Sequence, residues 1–229
     1  MNRIIEPELL DELPSGDPRA VRSRRDLRRV NAWMRNHAIM AGALQSALNG
    51  QAPMHMTELG AGDGHFLLRV AQKNSARWAN VNATLLDRQS IVTPQTLSAF
   101  TSFGWRAETV VADVFDWPPA PADIVIANLF LHHFDDARLA GLLRGIAVRA
   151  RWFIAVEPSR TRWPLLFSRL LWVIGCSAVT RHDAVVSVRA GFSGSEISAL
   201  WPDKPNWQLT ERPAGLGSHL FVAQRLDGK

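Results

Sequence analysis

The 229-residue chain is long enough for one domain with a substantial core, and 47% of its residues are hydrophobic, as in a typical globular protein. Its single cysteine, Cys176, excludes an internal disulfide and a multi-cysteine zinc site. The 26 Lys and Arg residues outnumber the 21 Asp and Glu residues, which gives a formal net charge of +5 and brings acidic partners into consideration. The first apolar residues stand among acidic ones, unlike a signal peptide, which favours a cytoplasmic location.

Residues 1–50 predict a helical extension ahead of the main domain. Asp17-Pro18 is typical of a helix start and Asn49-Gly50 of a helix end. Between them, apolar residues recur at helical spacing, namely Leu27, Val30, Met34, Ala41, Leu44 and Leu48. Six arginines fall on the other side of these one or two helices, namely Arg22, Arg24, Arg25, Arg28, Arg29 and Arg35. We interpret them as a solvated helix face, with a footprint for nucleic acid as the alternative.

From residue 54 onward, short apolar runs alternate with helical segments. The predicted strands lie at residues 54–60, 83–87, 107–113, 122–130 and 151–158, with helices at residues 65–72, 93–103 and 136–148. This alternation predicts a parallel sheet with helices on both faces. Residues 207–213 and 218–225 predict an antiparallel hairpin, preceded by a helix that starts near Ser193 and Glu196. The sequence therefore predicts a seven-stranded, mostly parallel α/β sheet in a domain spanning residues 51–229.

A strongly apolar stretch, "TRWPLLFSRLLWVIGCSAV", separates the fifth strand from that last helix. Arg169 interrupts it and the stretch is short, which argues against a transmembrane segment. We predict one helix here, with Cys176 as inert packing inside it. It is either a core helix or part of a lid-like insertion at about residues 160–190. Such an insertion would cover an apolar substrate or touch a membrane or a partner.

Three glycines alternate behind an acidic residue in "TELGAGDGHF", where the first predicted strand meets the first crossover helix. Glycine suits sharp turns and a close approach of backbone to ligand, so this corner predicts a nucleotide-type site. The spacing is not the G-x-G-x-x-G of dinucleotide sites. Asp63 would also repel a pyrophosphate, whereas a cationic or zwitterionic ligand would be tolerated.

The segment "ELGAGDG" resembles the first motif of class I S-adenosylmethionine (SAM)-dependent methyltransferases. The resemblance continues in order over residues 57–158, through Asp87 after the second strand, "VVADVFDWP" after the third and "IANLFLHHF" after the fourth. The last of these is similar to the motif of methyltransferases that act on quinone precursors and polyketides. The family resemblance implies a Rossmann-like fold and SAM as the cofactor.

By the same resemblance, Asp87 would accept hydrogen bonds from the ribose hydroxyls, Asp113 would accept from the adenine amino group, and Val114 would lie against the ring. The full set of implied cofactor-binding residues is Glu58, Gly60, Ala61, Gly62, Gly64, Asp87, Arg88, Asp113, Val114, Asn128 and Leu129. No metal ligands are predicted.

The expected reaction is displacement of a methyl group from the sulfonium onto a nucleophile. The Asn/Asp-Pro-Pro-aromatic motif of amide and DNA N-methylases is missing after the fourth strand, where "NLFLHH" stands instead. His133 and His132 follow that strand and are the first candidates for a base, with His133 preferred. His182, beside Asp183 in "TRHD", is the next candidate, and His37 and Glu157 are more distant ones.

We therefore predict an O-methyltransferase of a small, apolar, hydroxylated aromatic or polyketide-like molecule, with N- or C-methylation of a small molecule left open. A nucleic-acid methyltransferase that uses the arginine-rich helix is the first alternative, and nucleic acid is the less favoured partner. A protein that binds SAM without turnover is the second alternative. We expect a monomer or a homodimer, without a transmembrane segment, for which peripheral contact with a membrane stays open.

Overall fold

The computed structural model describes residues 1–117, 122–169 and 171–226. Within these ranges, a single sheet of seven strands has the order β3-β2-β1-β4-β5-β7-β6. The first five strands are parallel, and β7 runs antiparallel to both β5 and β6. The strands are β1 (His55–Leu59), β2 (Asn82–Asp87), β3 (Arg106–Val111), β4 (Ala122–Asn128), β5 (Ala150–Pro158), β6 (Trp207–Ala214) and β7 (Ser218–Arg225). The predicted mostly parallel sheet with a C-terminal antiparallel hairpin is confirmed.

The helices of the described residues lie before, between and after these strands. They are α1 (Leu9–Glu12), α2 (Pro18–Met34), α3 (Asn36–Leu48), α4 (His65–Asn74), α5 (Pro94–Thr101), α6 (Asp136–Arg149), α7 (Arg162–Arg169), α8 (Ala178–Ala190) and α9 (Glu196–Leu200). Asp17 and Thr93 cap α2 and α5 through their side chains, each followed by proline, as the sequence predicts. None of the helices in the described ranges has the length and apolar content that a membrane span requires.

Buried side chains pack on both faces of the sheet. On one face, Leu143 of α6 joins Phe153, Trp201 and Phe221 in a cluster rich in aromatic rings. On the other face, α3 and α4 pack against the sheet, and Met40 is fully buried there. Helices thus cover both faces, and α3 of the N-terminal region contributes to the same core as the strands.

The apolar stretch at residues 161–179 is not one helix, so that prediction is wrong. It forms α7, then a turn at residues 171–175, then the start of α8. Gly175 has a positive φ of 75°, and the Ser177 side chain accepts a hydrogen bond from the amide of Thr180, which starts a new helix. Cys176 is buried between the two helices rather than inside one. Leu170, part of the predicted helix, lies outside the described residues.

The helix α2 buries a polar face rather than the predicted apolar one. Ser23 and Asp26 are buried, whereas Leu27, Val30 and Met34 are only half-buried. Asp26 accepts hydrogen bonds from the Ser177 amide (2.8 Å) and the Thr180 hydroxyl (3.2 Å) at the start of α8. The apolar residues at helical spacing between residues 27 and 48 belong to two helices, because Arg35 with a φ of 58° separates α2 from α3.

Candidate functional site

A cavity of about 930 Å³ opens at the carboxyl edge of the parallel strands, where β1 and β4 are neighbours and the strand order reverses. Open parallel sheets bind ligands at this kind of edge. Residues of the N-terminal region, the glycine loop after β1, and the ends of β2 and β4 line the cavity. Of the residues at 160–190 that the structure describes, Ser187 alone lines it, so the apolar stretch is not a wall of this cavity.

The glycine loop follows β1 and uses glycine for two different reasons. Gly60, Gly62 and Gly64 all have positive φ, between 54° and 75°, which disfavours other residues. A Cβ on Gly60 would overlap the ring of Phe130, so the loop also needs the missing side chain there. Gly64 precedes α4, where an added Cβ would lie 3.0 Å from Leu85, and it is outside the cavity lining. Its positive φ and close packing account for the glycine, and its contact with the cofactor stays a prediction.

The other ten predicted cofactor residues line the cavity together. They are Glu58, Gly60, Ala61, Gly62, Asp87, Arg88, Asp113, Val114, Asn128 and Leu129. Asp87 accepts hydrogen bonds from the backbone amides of Gly62 and Gln89, both at 2.8 Å, which holds the glycine loop against β2. Asp113 accepts from the Phe115 amide at 3.0 Å, as in an Asx-turn.

Glu58, at the end of β1, is a buried carboxyl whose pKa is strongly shifted. Its burial, followed by the charges of Asp63 and Asp87, raises its pKa well above the usual value. Oε2 of Glu58 and Oδ1 of Asn128 are buried and have no hydrogen-bond partner among the described residues. Two buried acceptors beside a cavity are suited to a ligand that carries N–H donors.

His132 lies at the centre of a buried ion-pair network. Its Nδ1 donates to Oε2 of Glu157 at 2.8 Å, and its Nε2 donates to Oε1 of Glu8 at 3.2 Å. Burial alone would lower the pKa of His132, but the two carboxylates raise it to about 9. Burial would likewise raise the pKa of Glu8, but its hydrogen bond with His132 lowers it to about 2. The ring therefore carries a positive charge at neutral pH and holds no free lone pair for a base.

His133 has the opposite electrostatic character. Its burial and then the charge of His132 lower its pKa, so its ring is neutral at physiological pH. Nδ1 of His133 lies 3.3 Å from Oδ2 of Asp11. The His133 side chain is 23% exposed and lines the cavity. Of the two adjacent histidines, His133 is the one that can accept a proton.

The third predicted base, His182, does not join this site. Its side chain is about half exposed on α8, with Nδ1 3.1 Å from Oδ1 of Asp183, and it is not among the cavity-lining residues. Asp183 instead accepts hydrogen bonds from the amides of Leu9 and Leu10. His37 does line the cavity, whereas Glu157 is outside the lining and hydrogen bonds to His132.

Residues 1–12, which we call the N-terminal strap, complete the site. The strap brings Glu8 to His132 and Asp11 to His133, and Leu10 also lines the cavity. Arg3 anchors the strap by donating to the carbonyls of Ala190 and Phe134, at 2.8 and 2.9 Å. Sequence reasoning missed Glu8 and Asp11, because no local motif marks residues whose role depends on a distant histidine.

Five of the six arginines in residues 22–35 are exposed and Arg24 is half-buried, which agrees with the predicted solvated face. Arg24 and Arg28 line the cavity. Nε of Arg28 donates to Oδ2 of Asp63 at 2.8 Å on the glycine loop. Burial would raise the pKa of Asp63, but its hydrogen bond with His65 and the charge of Arg28 lower it. Arg22 and Arg25 are exposed, as predicted.

Glu8, His132 and His133 also offer one potential metal-ligating atom each, within 4.8 Å of one another. Both nitrogens of His132 are hydrogen bonded to carboxylates, and its raised pKa keeps it protonated. We therefore describe the cluster as an ion-pair network.

Several solved methyltransferases share this fold. The plantazolicin methyltransferase BpumL, solved with SAH and a triazolic desmethylPZN analog, matches with a TM-score of 0.68 at 10% identity, over 92% of this chain and 92% of that one. Magnesium protoporphyrin IX methyltransferase (ChlM) from Synechocystis PCC 6803, with bound SAH, matches with a TM-score of 0.58 at 13% identity, over 88% and 86%. The mitomycin 7-O-methyltransferase MmcR matches with a TM-score of 0.58 at 20% identity, over 94% of this chain and 60% of its own length.

No protein-family model matches the chain, and no curated protein sequence is significantly similar to it. The structural likeness confirms the Rossmann-like methyltransferase fold that the motifs predict.

Proposed function

We propose that the chain is a SAM-dependent methyltransferase, and specifically an O-methyltransferase of a small, apolar, hydroxylated aromatic or polyketide-like molecule. The observation that carries the proposal is one cavity in which ten motif-predicted cofactor residues meet the His132–His133 pair. The solved proteins of this fold include methyltransferases named for plantazolicin, mitomycin and magnesium protoporphyrin IX, which supports a small-molecule acceptor.

The residues at the glycine loop fit SAM as the cofactor. Bound SAM would supply an electrophilic methyl group on a positively charged sulfur. Each carboxylate oxygen of Asp87 accepts one backbone N–H and retains a further lone pair for a hydroxyl donor. The unpartnered buried oxygens of Glu58 and Asn128 suit an amino group. A cationic ligand would also favour the ionised form of Glu58, whose pKa is raised by burial and by the charges of Asp63 and Asp87.

We assign the base to His133. A hydroxyl acceptor loses its proton as its oxygen bonds to the methyl group, and the neutral His133 ring would take that proton. His132 is a positioning residue in this proposal, because its charge lowers the pKa of His133 and its hydrogen bonds fix Glu8 of the strap. The rings of Phe130 and Phe134, with centroids 5.1 Å apart, line the cavity beside His133 and suit an apolar acceptor.

The nucleic-acid alternative is less well supported, because Arg24 and Arg28 line the cavity and Arg28 pairs with Asp63. Arg22 and Arg25 are exposed and stay available to phosphates, so the salt dependence of turnover is what separates this alternative from a small-molecule acceptor. The non-catalytic alternative does not explain why a neutral histidine borders the cavity.

The decisive experiment is a turnover screen with methyl-labelled SAM against a small-molecule extract and against total RNA. Label should enter the small-molecule fraction, with a rate that changes little with salt. Label in RNA with a steep salt dependence would favour the nucleic-acid alternative. No turnover despite SAM binding would favour the non-catalytic one.

The cofactor assignment has its own test in the variant Asp87→Ala. It should weaken SAM affinity by at least about tenfold in calorimetry, because charge-assisted hydrogen bonds are lost. Unchanged SAM affinity, or tighter binding of NAD than of SAM, would contradict the assignment.

A further inference from the structure

The helix α7 has its apolar side turned outward. Trp163, Leu166 and Phe167 follow helical spacing and are exposed, with Trp163 68% exposed, whereas Pro164 and Ser168 on the other side are buried. A surface helix of a globular protein normally buries its apolar stripe. This inversion leaves a large part of the apolar stripe exposed in the described parts of the chain.

The turn after α7 and one residue of α2 extend this surface. Trp172, Val173 and Ile174 are each more than half exposed. The ring of Trp33 on α2 packs edge-on against Phe167, with centroids 5.7 Å apart. We call the whole surface the apolar patch; it consists of Trp33, Trp163, Leu166, Phe167, Trp172, Val173 and Ile174. A contiguous set of exposed large apolar side chains marks an interaction site, unlike single exposed residues.

Arginines border the apolar patch on a defined side. Arg22, Arg25 and Arg29 are spaced by three and four residues and lead to Trp33, so the four share one face of α2. Arg29 pairs with Asp26 and also donates to the carbonyl of Ile174 at 3.2 Å, which joins this face to the exposed turn. Arg162, next to Trp163, is exposed as well.

We propose that the apolar patch docks the protein on an anionic lipid bilayer. Tryptophan is favoured at the membrane interface, where its ring meets acyl chains and its N–H meets headgroups, and the patch has three tryptophans. The bordering arginines add attraction to anionic headgroups. A second copy of the chain fits less well, because a two-fold contact through this patch would bring the arginines of one copy against those of the other.

The helix α2 lies between this docking surface and the cavity. Arg22, Arg25 and Arg29 lie on its patch side, whereas Arg24, Arg28 and Asn31 line the cavity. Docking through the patch would hold the cavity one helix diameter from the bilayer, about 10 Å, which is close to where an apolar acceptor dissolves. The docking itself is independent of turnover, so it can be tested without a known acceptor.

The test is co-sedimentation of the full chain with vesicles of phosphatidylcholine alone and of phosphatidylcholine with phosphatidylglycerol. We expect binding to the mixed vesicles. Trp163→Ser/Trp172→Ser should weaken that binding by at least about tenfold, since it removes two exposed aromatic side chains that the bilayer would bury. Arg22→Gln/Arg25→Gln should weaken binding to the mixed vesicles by about fivefold per arginine and leave phosphatidylcholine binding unchanged.

The matched control is Arg144→Gln/Val148→Ser, which removes an exposed arginine and an exposed apolar residue one turn apart on α6. It should bind vesicles like the wild type. Melting curves check that each variant folds, and Trp172→Ser alone, in the exposed turn, replaces the double variant if that one does not fold.

Three results would overturn the proposal. The first is a wild-type protein that does not bind the mixed vesicles. The second is patch variants that bind the mixed vesicles as tightly as the control does. The third is a protein that does not bind vesicles and whose dimer, seen by light scattering, is dissociated by the same substitutions.

Discussion

The half of the cavity that we propose for the cofactor (the cofactor half) and the half that we propose for the methyl acceptor (the acceptor half) are built in different ways. The cofactor half consists of the glycine loop and the ends of adjacent strands, so its residues are held by the sheet itself; Asp87, for example, fixes the loop through the amide of Gly62. The acceptor half is assembled from the strap, α2, the turn after β4 and α8. Its central hydrogen bond joins Glu8 to His132 across 124 positions of sequence.

This difference predicts which substitutions should impair each half of the cavity. The cofactor half should tolerate changes in distant segments, because backbone hydrogen bonds and parallel strands position it. The acceptor half depends on buried ion pairs, so removal of one charged partner leaves the other charge buried and uncompensated. Changes there should affect turnover or local stability while SAM binding persists.

The largest effect is expected for His133→Ala. If His133 takes the acceptor proton, kcat should fall by about 10²–10⁴, whereas SAM affinity from calorimetry should stay within about twofold. His182→Ala is the matched control, because that histidine lies outside the cavity lining. The His182→Ala variant should have a normal kcat. A normal kcat in His133→Ala would show that alignment alone carries the reaction. A parallel loss of kcat and SAM affinity would show that His133 shapes the cofactor half as well.

The second prediction compares two glutamates whose carboxylates have the same kinds of hydrogen-bond partner, namely two backbone amides and a histidine. Glu157 accepts from the amides of Phe130 and Leu131 and from His132, all within 3.0 Å. Glu211 accepts from the amides of Ile197 and Ser198 and pairs with His219 at 2.8 Å, outside the cavity lining. Removing either partner of a buried pair costs about 3–5 kcal/mol, so Glu157→Ala and Glu211→Ala should both lower the free energy of unfolding by that amount.

Only Glu157→Ala should lower kcat in the fraction that remains folded, because only Glu157 holds the histidine pair. Denaturant unfolding gives the stability, and turnover measured well below the melting temperature gives kcat. An equal loss of kcat in both variants would contradict a special role for the acceptor half.

The sequence predicts which residues of the glycine loop and the strand ends meet at the cavity, but it does not predict the strap residues that join them, for a physical reason. Glycines with positive φ and acidic residues at strand ends have their roles set by neighbours in the chain, so the roles of Gly60 and Asp87 can be inferred from local pattern. Glu8 has no such local signal, since Glu6, Asp11 and Glu12 in the same segment are equally acidic. Likewise, the split of the apolar stretch into α7 and α8 depends on Gly175 and the Ser177 cap, which apolar spacing alone does not reveal.

The third prediction concerns the pH dependence of the strap. His132 has a pKa of about 9 in the folded protein, above its usual value, so its stabilisation is complete below about pH 6.5 and is lost as the pH rises through about 9. Glu8 has a pKa of about 2, below its usual value, so its contribution is present above about pH 4.5 and is lost as the pH falls through about 2.

Protection of the strap amides of Leu9 and Leu10 from hydrogen exchange should therefore fall between about pH 7 and pH 10, once corrected for intrinsic exchange rates. Glu8→Gln should remove most of this pH dependence, since the amide cannot form the ion pair. Protection in the wild type that stays constant up to pH 10 would show that Arg3 and Asp183 hold the strap without the His132 pair.

The smallest effect is expected for Arg28→Gln, which tests whether the cofactor half is independent of distant segments. Arg28 reaches Asp63 from α2, but its side chain is 47% exposed, and such ion pairs contribute about 0.2–1 kcal/mol. Asp63 also accepts from the His65 amide at 3.1 Å, so the glycine loop keeps a local hydrogen bond when Arg28 is replaced. SAM affinity should then change by less than about fivefold, and the change should shrink at high salt, because an exposed pair is screened. Arg22→Gln, on the other side of α2, supplies the control for lost net charge. If Arg28→Gln weakened SAM binding a hundredfold while Arg22→Gln did not, the glycine loop would depend on α2 as strongly as His132 depends on the strap, and the contrast between the two halves of the cavity would not hold.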